Sequence, residues 1–566
     1  MFSWRKIKKM KNDTMIFPIF ASFIAMKNTT KAILFVLTAL LLFVSILQKE
    51  FNLFSFRALK GVVEEQPKPV LTFANCQGGS YQTQTEQYLK QHFGCREPLI
   101  RLYNQYLWDF YGKTPVSEGQ IVFGKHGWIY EPWVVNDYYQ VHFRTHAYSV
   151  EEMTQKLEKE AKRVYQLQHI LEPYGTHLFV CMPPSKDRIY PEYLPEEHDM
   201  RFENEEKMSA RFFYEEEYPK LGVNFLDLEQ DFLLMKDTAN FMLFPQTGTH
   251  WSRYSALFAA DTLIRYMEHL GDMNIQNLVI GPRVLKDAEE PDIDLESLLN
   301  LIRPLPRPKY YYATATADHD STAVKPKMIT VGDSFWWNVI QQMPTEIFSA
   351  APYWYYNSTI YFDDKHHSVK EVDFVDEILS ADFINLCYSS TQLYRMNNDF
   401  TKMALIALCY DPEEVEAVYA AIDQAIYANT SWLERLKNKA DTQGRTLDDV
   451  IQDERKWLID NYPEKYFTAL NDSIPTKRSQ RAEAYLAFDS LTFIEQEVEK
   501  VILEFKGNPQ MMASIQEKAD QKNKTLEQAL YDDAVWVVNY KIEHGKLTLP
   551  KTRTRVKTKT ENHGIQ

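Results

Sequence analysis

The stretch KMITVGDSFWWNVIQQM, residues 327–343, decides the fold of this chain. Its first half, KMITVG, is largely apolar without a polar alternation, which is typical of a strand covered on both faces of a sheet. Its second half predicts a helix, so the strand passes directly into a helix at Gly332-Asp333-Ser334-Phe335. A serine at such a turn lies at the carboxyl edge of the predicted sheet, where the sites of α/β proteins form.

Outward from this unit, strands and helices alternate between about residues 117 and 388, which predicts an α/β fold with a mostly parallel sheet and helices on both faces. The predicted strands are QIVFG (120–124) with GWIYE (127–131), THLFVCM (176–182), NFLDL (224–228), KMITVG (327–332) and DFINLCY (382–388). The predicted helices are 150–172, 203–217 and 253–269, and a helical subdomain at 81–111, broken near Gly94, precedes them.

The length of 566 residues exceeds what one core supports, so several domains are expected. The predicted division is 1–50, a cytoplasmic basic segment and signal-anchor helix; 51–116, a linker and helical subdomain; 117–408, the catalytic domain; 409–548, a helical-hairpin repeat region; and 549–566, a basic disordered tail. The repeat is internal, because residues 429–457 match residues 508–536 without gaps, with Trp457 recurring as Trp536.

A membrane anchor is predicted near the N-terminus. Residues 1–31 carry seven basic side chains against Asp13 alone and lead into the apolar run AILFVLTALLLFVSIL at 32–47. No small-residue cleavage site follows, so we interpret the run as an uncleaved signal anchor with its basic side in the cytoplasm. This places the protein in the cytoplasmic membrane with its catalytic domain outside, and Met26 is an alternative start.

Composition excludes several classes of function. The net charge of −15 disfavours nucleic acid as a partner, since phosphate backbones bind through Lys and Arg. Five scattered cysteines make no disulfide framework, although a Cys76–Cys95 bridge is possible. The phrases DHD at 318–320 and DDKHH at 363–367 lack a zinc spacing. Neither a metal site nor a cofactor is predicted.

Two residues suggest acyl-transfer chemistry. Ser334 at the strand-to-helix turn offers a hydroxyl beside backbone N–H groups at the helix start, which is the arrangement that stabilises a tetrahedral oxyanion. Serine needs a base near neutral pH, and His250 in the phrase Thr247-Gly248-Thr249-His250-Trp251-Ser252 precedes another predicted helix. An N-cap for Ser334 and a structural role for His250 are the alternative interpretations.

Four phrases in order resemble the alginate O-acetyltransferase family of AlgX and AlgJ, a branch of the SGNH-hydrolase superfamily. They are GQIVFGKHGWIY at 119–130, PPSK at 183–186 with IYPEYLP at 189–195, the HW phrase at 250–251, and GDSF at 332–335. The resemblance covers about residues 80–405 and implies an SGNH-hydrolase-like sheet with Ser334 and His250 as catalytic residues. From their places in the sequence, Gly332, Asp333, Lys186, Trp251 and Trp336 are further candidates for oxyanion or substrate contacts.

One departure concerns the catalytic acid. In the family it stands two residues before the histidine, where this chain has Gly248. Loss of the acid costs a serine protease about 10⁴ in rate. Another carboxylate takes the role, with Asp187, Asp237, Asp333 and the Asp318/Asp320 pair as candidates; or a backbone carbonyl orients His250; or the site is degenerate.

The resemblance implies an O-acetyltransferase that moves acetyl groups onto hydroxyls of an extracytoplasmic polysaccharide through an acetyl-serine. The implied partners are that polysaccharide and a membrane-bound O-acyltransferase that delivers the acetyl group. Two alternatives remain open, a carbohydrate acetylesterase and a noncatalytic polysaccharide-binding or assembly protein. A cluster of aromatic residues near Ser334 is a candidate floor for a sugar: Trp336, Trp337, Tyr353, Trp354, Tyr355 and Tyr356.

Overall fold

The structure, a computed structural model, describes residues 28–61, 66–140, 148–195, 208–363, 365–487, 490–522, 524–543 and 547. The predicted basic segment at 1–27, the tail at 549–566 and the first residues of the helix predicted at 203–217 lie outside these ranges. Two compact units are present: an N-terminal unit of Met1–Val122 with Ile293–Arg307, and a main unit of Phe123–Asp292 with Pro308–Gln566.

The N-terminal unit is helical. Its first helix contains Thr30–Phe51, a stretch with a mean hydropathy of 2.4 that is long and apolar enough to cross a membrane. This helix extends beyond the predicted apolar run at both ends, because Asn28 and Phe51 bound it. The helices of the unit are α1 Asn28–Phe51, α2 Phe73–Gln77, α3 Ser80–Gln91, α4 Arg96–Tyr111, α5 Ser117–Gln120 and α12 Asp294–Leu298.

The main unit contains a seven-stranded sheet in the order β12-β11-β10-β9-β13-β3-β4. The five strands from β10 to β4 run parallel, and four of them were predicted, whereas β10 and the antiparallel edge that it forms with β11 and β12 were not. The predicted strands QIVFG and GWIYE pair with each other as β1 and β2, outside this sheet. The strands are β1 Val122–Phe123, β2 Ile129–Tyr130, β3 His177–Met182, β4 Phe225–Asp227, β5 Leu278–Ile280, β6 Val284–Lys286, β7 Tyr310–Tyr312, β8 Ala315–Ala317, β9 Met328–Gly332, β10 Tyr353–Tyr355, β11 Thr359–Phe362, β12 Lys365–Ser368 and β13 Phe383–Cys387.

Helices cover both faces of this sheet, so the central strands are buried on both sides. Successive side chains of a strand point to opposite faces, and along β13 Ile384 and Leu386 enter one core while Phe383 and Cys387 enter the other. The further helices are α6 Pro132–Tyr138, α7 Val150–Leu171, α8 Lys186–Ile189, α9 Ala210–Leu221, α10 Leu228–Lys236, α11 Arg253–Gly271, α13 Phe335–Ile340, α14 Phe374–Ser380, α15 Phe400–Cys409, α16 Pro412–Ala428, α17 Thr430–Gln443, α18 Leu447–Asn461, α19 Pro463–Tyr466, α20 Gln480–Ala487, α21 Ser490–Lys506, α22 Pro509–Lys522 and α23 Leu526–Glu543.

The internal repeat forms two helical hairpins, α17–α18 and α22–α23. Equivalent threonines begin the second helix of each, since Thr446 Oγ1 accepts from Asp449 N at 3.1 Å and Thr525 Oγ1 accepts from Gln528 N at 3.2 Å. The first hairpin packs in the same core as the sheet, whereas α21 and the second hairpin close a separate core. The core therefore continues across the predicted boundary between residues 408 and 409.

Candidate active site

Ser334 lies where β9 ends and α13 begins. A Cβ at Gly332 would lie 2.2 Å from the carbonyl oxygen of Cys387, so a glycine lets β9 and β13 approach at this point. Ser334 has φ −59° and ψ −18°, which is ordinary helical geometry, and its side chain is partly exposed. The hydroxyl is therefore held at the carboxyl edge of the sheet by an unstrained residue.

Asp333 fixes this turn from the inside. Its carboxylate accepts hydrogen bonds from the amides of Phe335 at 3.0 Å and Ser389 at 2.7 Å, and from the Ser389 hydroxyl at 2.5 Å. Burial raises the pKa of the Asp333 carboxyl, while these hydrogen bonds and the nearby charge of His250 oppose the rise. Asp333 thus stabilises the turn that carries Ser334 and places negative charge near the imidazole.

The structure brings His250 and Ser334 together across 84 positions of the chain. The distance from His250 Nε2 to Ser334 Oγ is 2.9 Å, within the range of a nucleophile and its base. The imidazole packs against the ring of Phe335, with centroids 4.9 Å apart. Because both side chains are partly exposed among buried neighbours, a substrate has access to the pair.

A buried lysine ties the segment before His250 to the rest of the unit. Lys186 is 2% exposed, and its ammonium donates to the carbonyls of Ile129 at 2.7 Å, Gln246 at 3.0 Å and Gly248 at 2.7 Å. These contacts occupy the three donors of an ammonium group. Lys186 is therefore placed to hold the His250 segment, two residues from the imidazole, and not to contact a substrate.

Gly248 stands where the family carries its acid, and the space beside it is filled. A Cβ at this position would lie 2.8 Å from the carbonyl oxygen of Asp292 and 2.8 Å from Pro245 Cγ. Asp292 is buried, and its Oδ1 accepts from the amide of Arg253 at 3.1 Å. A carboxylate on another segment thus packs beside the His250 loop. Sequence reasoning missed Asp292, because a polar loop carries no signal for it.

The other candidate acids have different surroundings. Asp318 accepts from the amide of Asn277 at 3.1 Å, and Asp320 accepts from Asn274 at 2.9 Å, so both order a loop beside β5 and β8. Asp237 is exposed at the end of α10, and Asp187 is fully buried behind β3. Asp333 interacts electrostatically with His250, whose positive charge lowers the pKa of the Asp333 carboxyl.

The amides that begin α13 have internal acceptors, contrary to the expectation that they meet an oxyanion. Phe335 N donates to Asp333 Oδ1 at 3.0 Å, Trp336 N to Asp333 O at 3.2 Å, and Trp337 N to Ser334 O at 3.2 Å. The helix has only six residues, so its first turn is occupied in closing the serine turn.

Several aromatic residues named from the sequence belong to the core. Trp251 and Trp336 pack in the cluster on one face of the sheet, and Trp354 packs on the other. Burial leaves these side chains no surface for a sugar. Trp337, Tyr355 and Tyr356 are instead partly exposed, and the Tyr355 and Tyr356 rings lie 4.4 Å apart. Within the described residues, no group of three His, Cys, Asp or Glu side chains is arranged to hold a metal ion.

Asp187 and Asp137 form a buried acidic pair behind the end of β3. Burial, reinforced by the charge of Asp137, raises the pKa of Asp187 to about 8, although the Ser185 hydroxyl donates to it. Burial also raises the pKa of Asp137 to about 6. Glu229, which forms a salt bridge with Arg188, also raises the pKa of both carboxyls through its negative charge.

We expect the folded protein to lose stability as the pH rises from about 4 to about 9. An unfolded Asp has a pKa of about 3.9, so across this window the folded state binds more protons and the free energy of unfolding falls. Asp187→Asn mimics the protonated carboxyl without titrating. The loss of Tm between pH 5 and pH 9 should therefore be at least about 5 °C smaller in Asp187→Asn than in the wild type. Equal losses, with the exposed Asp237→Asn as control, would refute this assignment.

Three solved structures are similar to part of this chain. The O-acetyltransferase domain of Pseudomonas putida AlgJ is 17% identical over 52% of this chain and 96% of its own, with a TM-score of 0.33. Pseudomonas aeruginosa AlgX is 13% identical over 48% and 54%, with a TM-score of 0.26. Bacillus cereus PatB1 with a sulfonyl adduct is 12% identical over 48% and 97%, with a TM-score of 0.29. No curated protein matches this chain.

A family model matches the central part of the chain. The model described as "SGNH hydrolase-like domain, acetyltransferase AlgX" matches residues 121–335, a range that contains both His250 and Ser334. The resemblance that the four sequence phrases suggested is confirmed. Residues 121–335 thus form an SGNH hydrolase-like domain that is similar to that of the acetyltransferase AlgX.

Proposed function

We propose that the protein is an O-acetyltransferase that esterifies hydroxyl groups of an extracytoplasmic polysaccharide through an acetyl-Ser334 intermediate. The observation that carries the proposal is the 2.9 Å contact between His250 Nε2 and Ser334 Oγ at the carboxyl edge of the sheet. A serine hydroxyl is a weak nucleophile until a base takes its proton, and the imidazole is placed to do so. The match to an acetyltransferase family supports the choice of acyl group.

The proposed reaction has two steps, formation of the acetyl-serine and transfer of the acetyl group to the sugar. In the first, Ser334 Oγ attacks the carbonyl carbon of the acetyl donor while His250 Nε2 takes the hydroxyl proton; the bond to the donor breaks, and His250 returns the proton to the leaving group. In the second, a sugar hydroxyl gives its proton to His250 and attacks the acetyl-serine, and Ser334 leaves and recovers the proton. Asp333 supplies negative charge that favours the transient imidazolium.

Substrate and cellular location follow from the resemblance and from α1. The proposed acceptor is a surface polysaccharide, the proposed acetyl source is a membrane-bound O-acyltransferase, and α1 is proposed as the anchor that leaves the catalytic domain outside the cytoplasmic membrane. The partly exposed rings of Trp337, Tyr355 and Tyr356 are the aromatic surfaces near Ser334 that a sugar can contact. The domain limits predicted from the sequence remain part of this proposal, except for the boundary at 408/409, which lies within one core.

The test is acetylation of Ser334. The purified full chain is incubated with an activated acetyl ester, and peptide mass spectrometry locates any added acetyl group. We expect one acetyl group on Ser334 and none in Ser334→Ala, with Ser321→Ala, an exposed loop serine, as the matched control. A folded protein that gains no acetyl group at Ser334 rules the mechanism out.

Transfer and hydrolysis use the same two side chains, so the products separate them. Adding a polysaccharide with free hydroxyls should divert acetyl groups from acetate to sugar ester in a transferase and leave acetate as the product in an esterase. A noncatalytic binding protein would instead keep full biological activity in the Ser334→Ala and His250→Ala variants.

A further inference from the structure

Helix α4 of the N-terminal unit has its polar and apolar faces reversed. Its buried face carries Arg101, Asn104 and Gln105. Arg101 donates to the carbonyl of Ala58 at 2.8 Å, and Asn104 donates to that of Leu299 at 2.8 Å. Gln105 Oε1 accepts from the amide of Arg303 at 2.9 Å. Hydrogen bonds to backbone thus fix which face of α4 points inward.

The outward face of α4 is apolar. Residues at positions i, i+3, i+4, i+7 and i+11 from Leu99 share one side of a helix, and here all are exposed. Their exposed fractions are Leu99 37%, Leu102 58%, Tyr103 56%, Tyr106 49% and Phe110 71%. An amphipathic helix in water normally turns this stripe toward a core. A patch of this kind marks an interaction surface.

The apolar surface continues into a groove between α3 and α4. The groove has a volume of about 490 Å³. Its apolar lining is Leu89, Phe93, Leu99 and Ile100, and its charged lining is Glu86, Lys90 and Arg96. Apolar walls rimmed by both signs of charge suit a surface where hydrocarbon meets polar headgroups.

The turn between α3 and α4 packs directly on the end of α1. A Cβ at Gly94 would lie 2.1 Å from Ser45 O and 2.6 Å from Lys49 N, so the two backbones touch. Ser45 and Gln48 are buried there, whereas Phe35 and Phe43, farther along α1, are 74% and 63% exposed. The apolar face of α4 therefore begins beside the end of the helix that can cross a membrane.

We propose that the apolar face of α4 lies in the lipid–water interface of the membrane that α1 anchors. The inference rests on the proposed anchor and adds a second contact with the same bilayer. Three features favour lipid as the occupant: continuity with α1, a length of about 24 Å that fits along the surface, and tyrosines, which membrane interfaces favour. Such a contact would hold the N-terminal unit flat on the membrane instead of on a free tether.

The test is photolabelling of the full chain in liposomes of phosphatidylethanolamine and phosphatidylglycerol that include a lipid with a diazirine near its headgroup. Mass spectrometry then locates the labelled residues. We expect label on α1 and on the outward face of α4, at Leu102, Tyr106 or Phe110. No label is expected on Asn104 or Gln105, which are buried on the opposite face.

Variants sharpen the result. Leu102→Asp combined with Phe110→Asp should lower labelling of α4 at least about fivefold while α1 stays labelled, whereas Leu503→Asp, an equally exposed apolar position on α21, should change neither. Label on α1 without label on α4 overturns the inference and leaves the anchor standing. Absence of label from both helices refutes the anchor itself. Labelling of α4 in liposomes that is lost in native membranes, with protein cross-links in its place, would show a protein occupant and overturn the proposal.

Discussion

Replacing His250 with alanine should lower the rate of acetyl-Ser334 formation by roughly 10²- to 10⁴-fold, which is the range that a positioned general base typically contributes. The reason is the 2.9 Å contact from Nε2 to Ser334 Oγ, through which the hydroxyl proton leaves as the ester is attacked. Without the imidazole the serine must react as a neutral hydroxyl. Stopped-time mass spectrometry of the full chain with an activated acetyl ester measures the rate.

The control for this result is His319→Ala. His319 is an exposed loop residue, so its loss should leave the acetylation rate within a factor of two of wild type. Ser334→Ala should show no acetylation at that site at all. A His250→Ala protein that acetylates Ser334 as fast as the wild type would show that the contact between the two side chains has no catalytic use.

Lys186→Met should both destabilise the main unit and slow the reaction. The change removes the ammonium that donates to three buried carbonyls, of Ile129, Gln246 and Gly248, although the Gln246 carbonyl still accepts from the Ile129 amide at 3.1 Å. An unsatisfied buried polar group costs about 1–3 kcal/mol, so for two such groups we expect a loss of at least about 2 kcal/mol and a Tm lower by roughly 4–8 °C. Because Gly248 precedes His250 by two residues, kcat should also fall at temperatures well below the transition.

A buried lysine elsewhere separates the two effects. Lys402 is 4% exposed and forms salt bridges with Asp399 at 2.7 Å and Asp460 at 2.8 Å, in another part of the main unit. Lys402→Met should lower the Tm but leave kcat unchanged where the protein is folded. If Lys186→Met behaves in the same way, Lys186 contributes only to stability. A KM that rises while kcat holds would instead indicate substrate contact.

The sequence predicted the parts of the fold that repeat a simple pattern. The largely apolar runs of β3, β9 and β13 and the helical spacing of α7 and α11 are local signals, and each element is present at nearly the predicted residues. The meeting of His250 with Ser334 was also expected: Ser334 follows β9 at the carboxyl edge of the sheet, and His250 stands just before α11.

Features that depend on tertiary contacts could not be predicted from the sequence. Trp251 and Trp336 appear exposed by their place beside site residues, yet helix packing buries both. Asp292 sits in a loop, and only the folded chain shows that its carbonyl fills the space beside Gly248. The antiparallel edge formed by β11 and β12 was missed, because short strands with polar side chains resemble loops in sequence.

The separate core of the second hairpin has an evolutionary consequence. Val498, Ile515 and Val538 bury one another in a core that contains no residue of the sheet. Leu436 and Val450 of the first hairpin instead pack in the same core as the sheet. Helix α21 and the second hairpin thus form a module that buries its own apolar side chains without any compensating change in the sheet core. This last module can therefore be gained, lost or replaced during evolution without disturbing the sheet. The first hairpin cannot, because it is part of the sheet's core.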